Sequence, residues 1–274
     1  MDIKSVLKNI KKAGKDIATE LEDSSYYKED IEKMSSGMQA MGVSKKDAEE
    51  IASKAVRTSF SEDVIERQKE ILNGLMERGR TYEEALMIMG NIGRETGNYD
   101  PSRLQQDGRG MTEEQWFSPG IARGTGLIQW DDRRYTTEVM KKNQPKRKGL
   151  KNFAEDRGKS WDDMQTQLDF LDYEIKGPEK KAWEKSLKGN NIVEKTREFA
   201  KHFERAGTVT TKYGYPEERV HEELIDRPAE ALAVSIQHGP YIVPKKLPKN
   251  TPKIAIDENN QFLKAVRNRI KNEA

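Results

Sequence analysis

The chain has 274 residues, with 49 lysines and arginines against 47 aspartates and glutamates, so its formal net charge is +2. This length allows one domain with flanking elements or two small domains. The near balance of charge argues against a dedicated nucleic-acid binder, which usually carries a basic excess. The absence of cysteine excludes disulfide scaffolds, thiolate zinc sites and thiol nucleophiles.

The sequence shows neither a secretory signal nor a membrane-spanning segment. Five lysines lie among the first fifteen residues, and no apolar core of signal-peptide length follows them. Apolar runs such as Ala231–Val234 are far shorter than the roughly 20 residues that a membrane helix needs. We therefore expect a chain made in the cytoplasm that needs another carrier if it acts elsewhere.

Residues 1–62 are predicted to form a helical N-terminal region. Apolar residues and one glycine are spaced alternately by four and three, on one seam of a helix: Ile3, Leu7, Ile10, Gly14, Ile17 and Leu21. Such a seam packs on the rest of the chain, on a helix of a larger assembly or on a membrane surface. Two short helices are predicted next, at 38–42 and at Asp47–Arg57, with Ser44 as the N-cap of the second.

Residues 63–227 are predicted to form the region that carries the chemistry. Val64–Met76 has the apolar pattern of a helix. Thr81, followed three residues later by Glu84, has the pattern of a capping box at the start of the next helix.

In that next helix, Glu95 occupies an informative position. It lies seven residues after Ile88, which places the two side chains on the same side of the helix, and Gly97 suits a helix terminator. Burial and the negative end of the helix dipole both favour a protonated carboxyl, the form that a glycosidase general acid needs. An ordinary glutamate that reaches water from a frayed helix end is the alternative.

The glycine-rich segment that follows suggests a ligand site. Gly124–Trp130, with the sequence Gly-Thr-Gly-Leu-Ile-Gln-Trp, is typical of a turn that enters a short strand. Gln129 offers an amide and Trp130 a flat ring, a pairing that suits the hydroxyls and ring face of a sugar. A surface loop with a core tryptophan is the alternative.

Four motifs in order resemble the phage tail lysozyme family. They are Gly90–Pro101 (Gly-Asn-Ile-Gly-Arg-Glu-Thr-Gly-Asn-Tyr-Asp-Pro), Gly124–Trp130, Gln165–Glu174 and Phe203–Gly207. Family 19 chitinases share the Glu-Thr-Gly and Gly-x-Gly-x-Ile-Gln motifs, so a chitinase-like enzyme is a further alternative. The resemblance covers neither residues 1–62 nor the tail after about residue 228.

The resemblance implies a hydrolase of peptidoglycan glycan strands on a mainly α-helical, lysozyme-like fold, with a small irregular β element at the cleft. Glu95 matches the catalytic glutamate of the family, and Gly126 and Gln129 match the Gly-x-x-Gln element that lines the substrate groove. We expect no cofactor and no metal. His221, followed by two glutamates, lacks the second histidine of a zincin motif.

A second catalytic carboxylate is less well defined by the sequence. Retaining and inverting glycosidases both use a pair of carboxyl groups. Asp107, Asp131 and Asp132 are the candidates, and Asp131 is the first choice because it directly follows Trp130. A residue that caps the next helix is the alternative for Asp131. Lytic transglycosylases of the same superfamily use one glutamate and form an anhydro sugar.

Residues 228–274 are predicted to form a proline- and lysine-rich extension with a short C-terminal helix. Prolines recur every four residues at positions 240, 244, 248 and 252, interleaved with lysines, as in an extended connection. Gln261–Ile270 has the pattern of a short amphipathic helix. A solvated linker with a packing helix and a contact with a particle or with anionic wall polymer are the two interpretations.

The resemblance, together with these patterns, implies an enzyme in the phage virion, located at the tail, that acts on the host cell wall. Its partners would be peptidoglycan strands and other phage structural proteins, with no nucleic acid among them. A lytic transglycosylase, a soluble endolysin and an inactive structural or wall-binding tail component are the alternatives.

Overall fold

The computed structural model describes residues 27–104, 113–116, 124–135, 148–204 and 217–239. Within these ranges the chain is mainly α-helical, which confirms the predicted fold class. The apolar seam at 3–21, Asp107, the proline repeat and the predicted helix Gln261–Ile270 lie outside the described residues.

The described ranges contain eleven α-helices and one π-helical turn. In chain order they are α1 (Lys28–Ala40), α2 (Lys45–Arg57), α3 (Glu62–Glu77), α4 (Tyr82–Thr96), α5 (Glu113–Trp116), α6 (Asp132–Tyr135), α7 (Leu150–Glu155), α8 (Met164–Lys176), α9 (Lys180–Ser186), α10 (Ile192–Phe199), the π-helical turn (Ala200–Glu204) and α11 (Glu217–His238).

Helix α4 lies at the centre of the fold, where it packs on α3, α10 and α11. Its apolar residues Leu86, Ile88 and Ile92 are buried in the main hydrophobic core, and the predicted apolar stripe is thereby confirmed. The predicted capping box is also present, because Glu84 N donates to Thr81 Oγ1 at 3.2 Å and Thr81 N donates to Glu84 Oε2 at 2.8 Å.

Helices α1 and α2 form a second apolar cluster with α11. Ile51 and Ala55 of α2 are buried against Ile225 and Leu232 of α11. Ser44 caps α2 as predicted, accepting from Asp47 N at 3.2 Å.

The predicted helix at 38–42 is wrong in its position. The first three of these residues form the end of α1, which begins ten residues earlier at Lys28 and ends at Ala40. The helix extends upstream because Ile31, Met34 and Met38 continue one apolar face, and it stops because Gly42 adopts a φ of 92°.

Helix α11 contributes to both apolar clusters, with Val234 in the main core and Leu232 in the second. It runs through Pro228, where the sequence analysis places the start of the C-terminal extension, and the division into three regions stays a prediction. Among the described helices, none combines the length and the apolar character that crossing a bilayer would require.

The glycine-rich segment is a closed turn where the sequence pattern predicted a turn entering a strand. Thr125 N donates to Trp130 O at 3.1 Å, and Trp130 N donates back to Thr125 O at 2.9 Å. Isolated bridges join Thr125 to Trp130 and to Leu104, and these are the extent of the β structure in the described residues. The turn folds back on itself because Gly126 and Gln129 both adopt positive φ angles, of 71° and 48°.

Candidate active site

Glu95 lies in the last turn of α4, as predicted, one residue before the helix ends. Gly97 terminates the helix with a φ of 72°. The Glu95 side chain is 23% exposed, so its carboxyl is half-buried and still reaches solvent.

Arg227 of α11 holds the Glu95 carboxyl in place. Its side chain is only 3% exposed, and its Nη2 donates to Glu95 Oε1. Its Nη1 donates to Asn91 Oδ1 at 2.8 Å, one helical turn before Glu95. Because one guanidinium contacts two positions of α4, it fixes the last turn of that helix relative to α11.

A second contact from α11 holds the segment just after Glu95. Tyr99 is fully buried, and its hydroxyl donates to Glu230 Oε1 at 2.6 Å. Glu230 lies three residues after Arg227, on the next turn of α11. Burial raises the pKa of Glu230.

Gln167 of α8 holds the turn at 124–130 through its side-chain amide. Gln167 Oε1 accepts from Leu127 N at 2.9 Å, and its Nε2 donates to Pro101 O at 2.6 Å. A Cβ on Gly126 would lie 2.6 Å from Gln167 Oε1, so no larger residue fits there without moving Gln167. Gln129 Nε2 donates to Gly126 O at 2.8 Å, which closes the turn from within.

Trp130 anchors the turn in the core. It is 1% exposed, packs edge-on against Phe170 and donates from Nε1 to Glu174 Oε2 at 2.8 Å. The structure therefore places Trp130 as the sequence analysis described it in its alternative, a core tryptophan behind a loop. Its predicted role in substrate binding stays a prediction.

Asp131 caps the short helix α6. Its Oδ1 accepts from Arg134 N at 3.2 Å, which is the capping interaction that the sequence analysis gave as the alternative to catalysis. Its role as a second catalytic carboxylate stays a prediction.

A buried ion pair lies under the turn. Glu174 of α8 is completely buried, and Arg134 of α6 donates to its Oε1 from Nε at 2.9 Å and to its Oε2 from Nη2 at 2.6 Å. The Arg134 guanidinium also lies 4.8 Å above the ring of Phe203. This bidentate pair joins α6, α8 and the π-helical turn into one support.

Glu204 directly follows Phe203, whose ring lies under the Arg134 guanidinium. It is the last residue of the π-helical turn, and its Oε1 is buried. Burial raises the pKa of Glu204 to about 8, and the charge of Glu95 adds to that effect, while Arg227 and Arg134 oppose it.

A cavity of about 560 Å³ borders the end of α4, and Glu95 is not among its lining residues. Its lining includes Lys54 and Arg57 of α2 together with Gly93 and Gly97, two residues before and after Glu95. Asp226 and Glu230 of α11 also line it, so the cavity adjoins the residues of α11 that flank Arg227.

Sequence reasoning found Glu95 and the turn, and it missed the partners that hold them. Arg227 lies in no recognised motif, so no local signal could have found it. Glu174 and Glu204 stand inside two of the motifs quoted for the family resemblance, and those motifs were the available signal.

Comparison with known proteins agrees with the geometry. The family model described as phage tail lysozyme matches residues 66–220, which is more than half of the chain. Glu95, the turn at 124–130, Glu174 and Glu204 all lie within the matched range. No curated protein and no solved structure matches the chain.

Proposed function

Because the chain belongs to the phage tail lysozyme family, and is thus a phage-associated, lysozyme-like hydrolase of peptidoglycan, we propose that Glu95 is its general acid. The bond broken is the β-1,4 glycosidic bond between the amino sugars. The observation that supports this role most directly is the position of Glu95. It is a half-buried carboxyl at the glycine-terminated end of the central helix, held by Arg227.

The chemistry requires one proton at the leaving oxygen. Glu95 donates it as the bond between the anomeric carbon and that oxygen breaks, through an oxocarbenium-like state. A water molecule then supplies hydroxide to the anomeric carbon and returns a proton to Glu95. The turn at 124–130 would line the substrate groove, with Gly126 and Gln129 shaping the backbone that contacts the glycan strand. Asp131 is the candidate for the second catalytic carboxylate.

The proposed setting is the virion, where the enzyme opens the host wall as the genome is delivered. The family description supports a tail-associated role. Quantitative mass spectrometry of purified particles tests it, because a tail component is present at constant copy number and a soluble endolysin is absent from the particle.

Activity on purified peptidoglycan tests the role of Glu95. We expect Glu95→Gln to lower the rate of clearing by at least about a hundredfold, since the amide has no acidic proton. Glu83→Gln is the matched control, because Glu83 lies in the first turn of the same helix and pairs with Lys195 at its surface. Equal activity of wild type and Glu95→Gln would refute the assignment.

Mass spectrometry of the released fragments distinguishes the possible reactions. Reducing sugars establish hydrolysis, and anhydro sugars establish a lytic transglycosylase, for which no second carboxylate is needed. Chitin oligomers cleaved in preference to peptidoglycan would indicate the chitinase-like alternative. Failure of wild type to clear either substrate at any pH would favour a structural or wall-binding role.

A further inference from the structure

Ion pairs join the three helices that surround the cavity at the end of α4. Lys54 of α2 donates from Nζ to Asp226 Oδ1 of α11 at 2.7 Å, and Arg94 Nε of α4 lies 3.8 Å from Asp226 Oδ2. Lys54 also pairs with Glu50 of its own helix at 3.4 Å. Asp226 thereby connects α2 and α4 to α11, and the volume of about 560 Å³ between them is typical of a small-ligand site.

Close packing fixes the wall of the cavity that α4 and α11 share. Gly93 and Ala229 are buried in this wall. A Cβ built on Gly93 would lie 2.4 Å from Glu230 Cγ, so the glycine lets Glu230 lie directly against α4. Glu230 Oε1 accepts from the buried Tyr99 hydroxyl at 2.6 Å. The wall is therefore already formed before any ligand arrives.

The cations that line the cavity outnumber its carboxyl groups. Lys54, Arg57 and Arg94 stand against Asp226 and Glu230. Asp226 is shared by Lys54 and Arg94, and the Glu230 carboxyl is engaged by a tyrosine hydroxyl. The lining therefore favours a ligand that brings negative charge.

Arg57 is the lining cation that has no partner within the described part of the chain. Its side chain is exposed in the last turn of α2, and none of the ion pairs or hydrogen bonds of the described residues engages its guanidinium. A guanidinium presents planar donors that match both oxygens of a carboxylate. The chemical group that suits this position is therefore a carboxylate.

The cavity lies beside the residue proposed as the acid. Its lining includes Arg94, which precedes Glu95 in the chain, and Asp226, which precedes Arg227. In peptidoglycan every second sugar carries a short peptide stem with free carboxylates. An extended peptide of four residues spans about 13 Å, which exceeds the helix diameter of about 10 Å, so the stem is long enough to pass around the end of α4.

We propose that this cavity binds the peptide stem of peptidoglycan, with the Arg57 guanidinium as the main contact of a stem carboxylate. The inference rests on the proposed function, because the stem arrives with the glycan strand that Glu95 cleaves. Arg57 and Asp226 both lie outside residues 66–220, the range that the family model matches. Recognition of the stem is thus an addition that α2 and α11 of this chain make to the family domain.

Binding of the isolated stem peptide tests the proposal without any need for catalysis. The probe is the peptide that an amidase releases from peptidoglycan, added to the isotopically labelled full chain and followed by NMR. We expect shifts at the backbone amides of Ser53, Thr58 and Gly97, which line the cavity, and none at Gly37. The same peptide with its carboxyl groups converted to amides should not bind. Equal binding of the amidated peptide, or no shift at the lining amides, would overturn the proposal.

Arg57→Gln removes the proposed contact at an exposed position, where a substitution of this kind leaves the fold intact. We expect it to weaken binding of the stem peptide by about fivefold and to raise the KM for intact peptidoglycan by a similar factor, with kcat unchanged. On glycan strands stripped of their peptides by an amidase, its KM should equal that of wild type. Lys46→Gln is the matched control, because Lys46 is an exposed cation of the same helix that does not line the cavity.

Two kinetic results for Arg57→Gln would also overturn the proposal. An equal rise of KM on both substrates would show a role that does not involve the peptide, and an unchanged KM on both would show no role. In either case an inactive Glu95→Gln leaves the proposed function intact. A fully active Glu95→Gln would instead remove the proposed role of Glu95, and the binding of the isolated peptide would then decide the inference alone.

Discussion

Gly90 and Ala231 face each other where α4 crosses α11, and the fit allows no further atom between them. A Cβ built on Gly90 would lie 2.8 Å from the Ala231 Cβ and 2.4 Å from the Arg227 carbonyl oxygen. The glycine therefore lets α11 approach α4 closely enough for Arg227 to reach Glu95.

Replacing Gly90 with alanine should lower both stability and activity. The added methyl group pushes α11 away, and overpacking of this kind costs about 1–3 kcal/mol. Gly37→Ala is the matched control, because Gly37 is also helical but a Cβ there meets no atom within 4 Å. We expect that control to be stabilised by about 0.5–1 kcal/mol. Urea unfolding measures both changes, and equal stabilisation of the two variants would contradict the close crossing.

Replacing Gly126 with alanine should disturb the turn through two effects. The φ of 71° disfavours any residue with a Cβ, at a cost of about 1–2 kcal/mol, and the new methyl group would also collide with the Gln167 amide. Gly158→Ala isolates the first effect, because Gly158 has a φ of 61° with open space around it. We expect Gly126→Ala to lose clearly more unfolding free energy than Gly158→Ala, and also to lose activity on peptidoglycan. Equal losses of unfolding free energy in the two variants would mean that the Gln167 side chain moves aside at no cost.

Glu174→Gln should destabilise the fold by about 3 kcal/mol, because it leaves the buried guanidinium of Arg134 without its anion. Glu184→Gln is the control at an exposed position of α9, where the pair with Lys180 spans 3.9 Å. That change should stay within about 0.5 kcal/mol. Thermal unfolding monitored by circular dichroism compares the two, and similar values would show that the Arg134 pair contributes no more than a surface pair.

His238 should make the folded state less stable at acidic pH. Burial, and then Lys69, lowers its pKa from 6.5 to about 4, while its ring contacts Gln68 Oε1 at 2.8 Å. As the pH falls from 6.5 to 4, the unfolded chain binds a proton at this residue and the folded chain does not, so unfolding becomes easier.

His238→Gln removes this proton uptake and keeps a donor for Gln68. The free energy of unfolding of wild type relative to His238→Gln should therefore fall between pH 7 and pH 4.5, by about 1.4 kcal/mol for each full unit of pKa difference. Other titrating groups cancel in this comparison. If wild type and His238→Gln differed in unfolding free energy by the same amount at both pH values, the lowered pKa of His238 would be contradicted.

The helices around the site could be predicted because their signals are local. The capping box at Thr81 and Glu84 and the terminator at Gly97 lie within the helix that they delimit, and the position of Glu95 follows from them. The predicted segment at 38–42 covers only the end of α1, although Ile31 and Met34 continue the apolar face of that helix upstream.

The partners of Glu95 could not be predicted because they depend on how distant segments meet. Arg227 stands 132 positions from Glu95 in the chain, and no spacing rule connects them. The same holds for Trp130 and Glu174. A tryptophan beside a glutamine suits a sugar site or a hydrophobic core equally well. Trp130 lies in the core, where its indole donates to the buried carboxylate of Glu174 on α8.

The late position of α11 sets an order of events during synthesis. When Glu95 is added to the growing chain, Arg227 is still 132 residues from being added, which takes roughly ten seconds at ordinary elongation rates. Until then α4 lacks the helix that covers it, and neither apolar cluster is complete. The end of α4 that carries Glu95 thus gains its contact with Arg227 only after α11 has been made.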